Sequence, residues 1–182
     1  MILVKDIIID GNPTLRLKAQ EVKFPIKRKN LKTLKDIMLY LNRSQDEKAC
    51  AKYELKPGVG MAAPQIDVSL RMLGILIDEN GKRYEYAIIN PVVLAESVEM
   101  TYLPGGEGCL SVPGKNGIVL RHNKIKFKAT FYDYKNDTLE EKILLFTGYL
   151  AIVFQHEFDH LNGILFTDKV TNDTKDIKPV EF

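Results

Sequence analysis

The sequence predicts an α+β fold, with mixed or antiparallel sheets packed around a buried C-terminal helix. Three observations lead there. Helical apolar spacing comes early, at Leu31, Leu34, Met38 and Leu41. Short apolar runs and period-2 alternation then fill the middle of the chain, from Met72 to Phe146. A last segment, from about Thr147 to Leu161, is apolar nearly all round, as a buried helix is. Strands grouped in the middle, with a buried helix near the end, argue against a doubly wound parallel sheet.

Taken in order, Asn12-Pro13 opens a short helical stretch through Leu15, Leu17 and Ala19, with proline at a position where its missing N–H is no loss. Phe24-Pro25 breaks the chain. Leu31 to Leu41 then gives an amphipathic helix of about 12 residues. Asp46 to Tyr53 is read as a further helical turn, and Lys56-Pro57-Gly58-Val59-Gly60 as a loop. Met72 to Asp78 is a short buried strand, and Glu79-Asn80-Gly81-Lys82 is a hairpin turn signal. Tyr84 to Val93 and Ser97 to Leu103 follow as strands. Ile125, Phe127, Ala129 and Phe131 alternate with Lys126, Lys128 and Thr130, which describes a strand with one wet face. Asn136-Asp137 turns the chain, and Leu139 to Phe146 returns. Thr147 is the predicted N-cap of the final helix.

The chain of 182 residues is 45% apolar and 27% charged, which excludes disorder and a disulfide-stapled miniprotein. The net charge of +2 gives no support to a specific nucleic-acid partner. It hides a basic region, since Lys18 to Lys56 sums to +6; a solvated helical face is the favoured reading. No segment reads as a targeting signal. The longest apolar stretch, Ile143 to Phe154, is too short to span a bilayer, so no membrane partner is expected. A cytoplasmic protein is expected, with Cys50 and Cys109 as free thiols unless a metal holds one.

The chemistry lies in His156-Glu157-Phe158-Asp159-His160, an H-E-x-x-H motif on the predicted helix. Residues four apart share a helical face, so both imidazoles can meet one metal ion. Glu157 lies about 100° round from His156, placed to act as a base on metal-bound water without ligating. Chance gives about 0.003 such motifs in a chain of this composition. Two imidazoles need a third protein ligand. The H-x-x-G-x-x-H extension of one protease class holds through Gly163 but ends at Phe166. Glu181 is a poor downstream carboxylate, and His122 reads as a surface histidine at a strand edge. Cys109, in the glycine-rich loop Gly105 to Pro113, is the better candidate.

Three segments then resemble the signature motifs of peptide deformylases. They are Gly58-Val59-Gly60-Met61-Ala62-Ala63-Pro64-Gln65, Glu107-Gly108-Cys109-Leu110-Ser111 and Gln155-His156-Glu157-Phe158-Asp159-His160. Their order and separation match, and the resemblance runs from about Ile7 to Val170. Asp46 to Lys56 resembles the insertion of the longer, Gram-positive-like form of the family.

The resemblance implies one catalytic metallohydrolase domain over 1–170 and a tail over 171–182. It implies removal of the formyl group from the formyl-methionine of new polypeptides, with release of formate. Cys109, His156 and His160 would bind one divalent metal ion, Fe2+ by family habit, with Zn2+, Ni2+ or Co2+ as substitutes. Glu157 would serve as general base and acid. The Gln65 side-chain amide and the Leu110 backbone N–H would hold the oxyanion. Val59, Gly60, Leu110, Tyr149, Ile152 and Val153 are expected to line a methionine pocket. Arg121, Glu107 and Asp159 are expected to orient the ligands, with the partner of Arg121 left open. The expected partners are N-formyl-methionyl nascent peptides and, through the basic region, the ribosome; a monomer is expected. The competing readings are a protease built on the same helix and a closed structural metal site with Cys50 as fourth ligand.

Overall fold

A computed structural model of the chain describes residues 1–79 and 81–181. Its helices are α1 (Arg28–Gln45), α2 (Glu47–Lys52) and α3 (Gly148–His160). Its strands are β1 (Gly60–Ala62), β2 (Met72–Glu79), β3 (Lys82–Glu96), β4 (Met100–Thr101), β5 (Glu107–Cys109), β6 (Val112–Gly117), β7 (Arg121–His122), β8 (Lys124–Asp133) and β9 (Thr138–Thr147). The main sheet runs β1-β2-β3-β8-β9, with every neighbouring pair antiparallel. Two small sheets, β4-β7 and β5-β6, complete the described strands. This is the α+β arrangement that the sequence predicts.

The unbroken apolar run of β2 has a clear cause. Met72 and Leu76 face α1, where Leu34, Ile37, Met38 and Leu41 are fully buried. Leu73, Ile75 and Ile77 face α3, in one cluster with Ala151 and Phe154. A strand covered on both faces has no wet face to alternate with. Gly74 brings α1 close: a Cβ there would sit 2.7 Å from Met38 Sδ and 2.8 Å from Ile37 Cγ2. β8 does alternate, with Ile125, Phe127 and Ala129 buried between exposed lysines. Phe127 stacks on Phe154 of α3 at 4.0 Å between ring centres. α3 is thereby clamped to the sheet along its apolar side.

Several local expectations are corrected. The stretch after Asn12 is a single 3-10 turn, Pro13–Arg16, and Leu17 is exposed. α1 has 18 residues, because its first turn is polar and leaves no apolar signal. Ser97 to Leu103 is not one strand: only Met100–Thr101 pairs, while Ser97 and Glu99 bond Lys124 and Asn123 across a bend. The segment before it is instead longer, as β3 reaches Glu96 through register shifts around Asn90-Pro91, where proline has no N–H to give the ladder. The hairpin turn joins β2 to β3, with Glu79 opposite Lys82, though its Asn80 lies outside the described residues. Thr147 occupies the N-cap position of α3 but makes no side-chain cap bond. The chain enters α3 directly from β9 through Gly148, whose φ of 58° favours glycine.

The C-terminal segment packs back on the small β4-β7 sheet. The Val180 N–H donates to the Tyr102 carbonyl at 2.9 Å, and the Thr101 hydroxyl donates to the Lys178 carbonyl at 3.1 Å. No helix among the described residues is long and apolar enough to cross a membrane.

Candidate active site

The last turns of α3 carry His156, Glu157 and His160. The loop read from the sequence around Cys109 is in fact a hairpin, β5-β6, and it delivers the thiol from the other side. Cys109 Sγ lies 3.3 Å from His160 Nε2, and the ligand atoms of Cys109, His156 and His160 all lie within 4.8 Å of one another. This donor set, one thiol and two imidazoles, suits a borderline-soft divalent ion. Burial, reinforced by the neighbouring His156, holds His160 well below its ordinary pKa, so its ring is neutral as a ligand must be. Burial opposes charge on His156 as well, but Cys109 and Glu107 outweigh it and raise that pKa to about 10. The proton so held on His156 Nε2 is the one a cation would displace, with Nδ1–H kept on Glu107, so the donor set as a whole fits a divalent ion. Cys50 lies outside this cluster and donates to the Leu55 carbonyl at 3.2 Å. His122 is half-buried, with Nδ1 2.7 Å from the Ser97 carbonyl oxygen.

Behind the histidines runs a buried ionic network. Arg121 forks onto Glu107, through Nε at 2.8 Å and Nη2 at 2.9 Å. Its Nη1 reaches Asp159 Oδ2 at 2.5 Å. Arg121 thus bonds both of its candidate carboxylates. Glu107 in turn meets His156 Nδ1 at 2.7 Å, leaving Nε2 for a ligand. Burial alone would raise the Glu107 pKa; Arg121 and His156 overcome it and bring it down to about 2. One member was missed from the sequence. Lys169 donates to both Asp159 oxygens at 2.8 Å, and nothing in its sequence context marks it.

Glu157 is placed differently. It is buried, its Oε2 has no hydrogen-bond partner, and burial with the nearby Glu107 charge raises its pKa to about 7. Its carboxylate lies against Gly60 of β1, where any Cβ would collide with it. Gln65 sits on the 3-10 turn that follows β1. Its Oε1 accepts from the Ala62 N–H at 2.8 Å. Its Nε2 lies 3.2 Å from Ser111 Oγ and 3.5 Å from Cys109 Sγ. The amide orientation is therefore fixed, with the NH2 group toward the metal-ligand cluster. Ser111, fully buried, closes the second motif read from the sequence but was given no role there.

A cavity of about 620 Å³ opens onto these groups. Val59, Gly60, Leu110, Tyr149, Ile152 and Val153 all line it, together with Cys109, His156, Glu157 and Gln65. Arg121 and Asp159 do not; Arg121, on β7, and Asp159, on the opposite side of α3, line a separate cavity.

The sequence model of the polypeptide deformylase family matches residues 4–176. The chain belongs to that family. A peptide deformylase of Staphylococcus epidermidis is 46% identical over 184 residues, covering 100% of this chain and 97% of its own. One of Halalkalibacterium halodurans is 47% identical over 172 residues, covering 93% and 92%. Among solved structures, the class I type b peptide deformylase of Acinetobacter baumannii superposes with a TM-score of 0.70 at 31% identity, over 93% of this chain and 99% of that one. The Thermotoga maritima peptide deformylase gives 0.67 at 33% identity, over 91% and 96%. The activity is therefore metal-dependent deformylation of formylated nascent peptides. The matched span reaches slightly beyond the Ile7 to Val170 stretch read from the motifs.

Proposed function

We propose that this deformylase holds its metal ion through Cys109, His156 and His160, with Fe2+ as the native ion and Zn2+, Ni2+ or Co2+ able to replace it. The ion, when bound, supplies Lewis-acid activation of water and of the formyl oxygen. Glu157 then does the proton work. It takes the proton of the attacking water as the O–C bond forms, and delivers it to the departing amine nitrogen as the C–N bond breaks, leaving formate and a free N-terminus. The observation that carries this reading is the unpartnered Glu157 Oε2, buried beside the three ligands with a pKa near neutrality.

The Gln65 amide, locked by Ala62 and Ser111, donates to the oxygen on which negative charge develops, together with the Leu110 backbone N–H. Val59, Leu110, Tyr149, Ile152 and Val153 offer the methionine side chain an apolar wall, and Gly60 leaves room for the base. Glu107, Arg121 and Asp159 fix the tautomer and orientation of His156. We read the enzyme as a monomer that works in the cytoplasm on polypeptides as they are made; a cavity lined by the candidate base, the Gln65 donor and the apolar wall of a single chain supports the first part of that reading.

Glu157→Gln tests the assignment, because it keeps the shape and removes the base. The metal content should stay at the parent level, while formate release from a formyl-Met tripeptide falls by about 10²–10⁴-fold. Turnover near the parent rate would exclude Glu157 as the base.

A further inference from the structure

We propose that Lys169 is a positioning residue for the metal centre, holding His156 in place through Asp159, Arg121 and Glu107. The inference rests on the reading of His156 as a metal ligand. The four bonded steps are all present. Lys169 Nζ bridges both Asp159 oxygens at 2.8 Å, Asp159 Oδ2 meets Arg121 Nη1 at 2.5 Å, Arg121 forks onto Glu107 at 2.8 and 2.9 Å, and Glu107 Oε2 lies 2.7 Å from His156 Nδ1.

Charge alternates along the row: cation, anion, cation, anion. With Lys169 the four groups sum to zero; without it they sum to −1, in a place where Arg121 and Glu107 are nearly inaccessible. An uncompensated buried charge is relieved by rearrangement. Asp159 Oδ1 is bonded by Lys169, so an Asp159 without that partner turns to find another donor. Arg121 is the donor within reach, and rotating Arg121 breaks the fork that holds Glu107.

Lys169 acts at a distance from substrate. It faces a second cavity, about 550 Å³, on the other side of α3, and no residue lines both cavities. Of the row, only Glu107 and His156 line the first cavity, so the effect of Lys169 is transmitted through the ligand His156, and the primary readout is the metal. It is also the solvent-facing end of the row, 40% exposed, so its replacement leaves the packed core intact.

The test compares K169M, K169R and R16M in the full-length, metal-loaded enzyme. Arg16 pairs with Asp168 at 2.5 Å, so R16M loosens the same segment without touching the row. K169M should lose its ion to a chelator about tenfold faster than the parent, the low end for partners that act through a ligand. The visible absorption of its Co2+ form should shift, and KM should stay unchanged. K169R should restore both within twofold, and R16M should match the parent. Parent-like metal release in K169M, no restoration by K169R, or equal loss in R16M would each overturn the inference. Failure of the underlying ligand reading shows elsewhere, as parent-level metal content in C109S.

Discussion

Gly60→Ala is the most demanding test of the site geometry. A Cβ at Gly60 would stand 2.8 Å from both Cγ and Cδ of Glu157. Carbon atoms settle at about 3.5–4.0 Å, so one side must retreat by roughly 0.7–1.2 Å. β1 is the stiffer side, being laddered to β2 with Gly60 opposite Ile75. Gly60 is not among the residues with positive φ, so alanine brings a collision and no backbone strain. The movement falls on the Glu157 carboxylate. Misplacing a reacting group by about 1 Å costs on the order of 10² in rate. The expected result is a kcat for formate release about a hundredfold below the parent, with metal content unchanged. In G60A/E157D the shorter acid relieves the collision, so the two losses should not add. A folded, metal-loaded G60A with kcat within threefold of the parent would refute the placement of Glu157 as the proton-transfer group.

Two further substitutions separate roles within the site. Gln65→Glu keeps the acceptor used by Ala62 but removes the NH2 donors; kcat should fall on the order of 10² or more with little change in KM, read from steady-state kinetics on a formyl-Met peptide. Cys50→Ser should leave metal content and turnover at the parent level, because Cys50 bonds the Leu55 carbonyl and serine can do the same; loss of the ion would revive the structural-site reading. Its unfolding midpoint should move by less than about 1 kcal/mol of stability.

Much of this was legible in the sequence, and the exceptions have physical causes. β2, β8 and α3 announce themselves because burial on both faces, on one face, or all round leaves distinct apolar periods. The β5-β6 hairpin leaves no such trace, because β6 contains Pro113, Gly114 and Gly117 and is mostly exposed. The motifs show which residue types cluster, but not who bonds whom. The partners of Arg121 come from β5 and α3 while Arg121 itself sits on β7, so no spacing rule connects them. Lys169 was invisible for the same reason, since it lies after the helix and meets Asp159 only because the chain doubles back. Gln65 was legible as a residue but not as an orientation, which depends on Ala62 and Ser111.

The distribution of unsatisfied groups ties the fold to the chemistry. Buried polar groups are costly unless bonded, and native folds bond nearly all of them. Arg121, Glu107 and Asp159 obey this rule fully. Among the described residues, two buried side-chain polar atoms without a partner are Glu157 Oε2 and His160 Nδ1, both inside H-E-x-x-H. A fold that bonds the four groups of this ionic row, two carboxylates among them, has the means to bond a third carboxylate. Burial and the nearby Glu107 charge raise the affinity of Glu157 for a proton, and no donor to Oε2 offsets them. Satisfying that oxygen with a new donor, by the same logic, would stabilise the protein and weaken the base. Local departures from good bonding collect where function requires them. In this chain they collect on one turn of one helix, held against a sheet that leaves that helix little room to move.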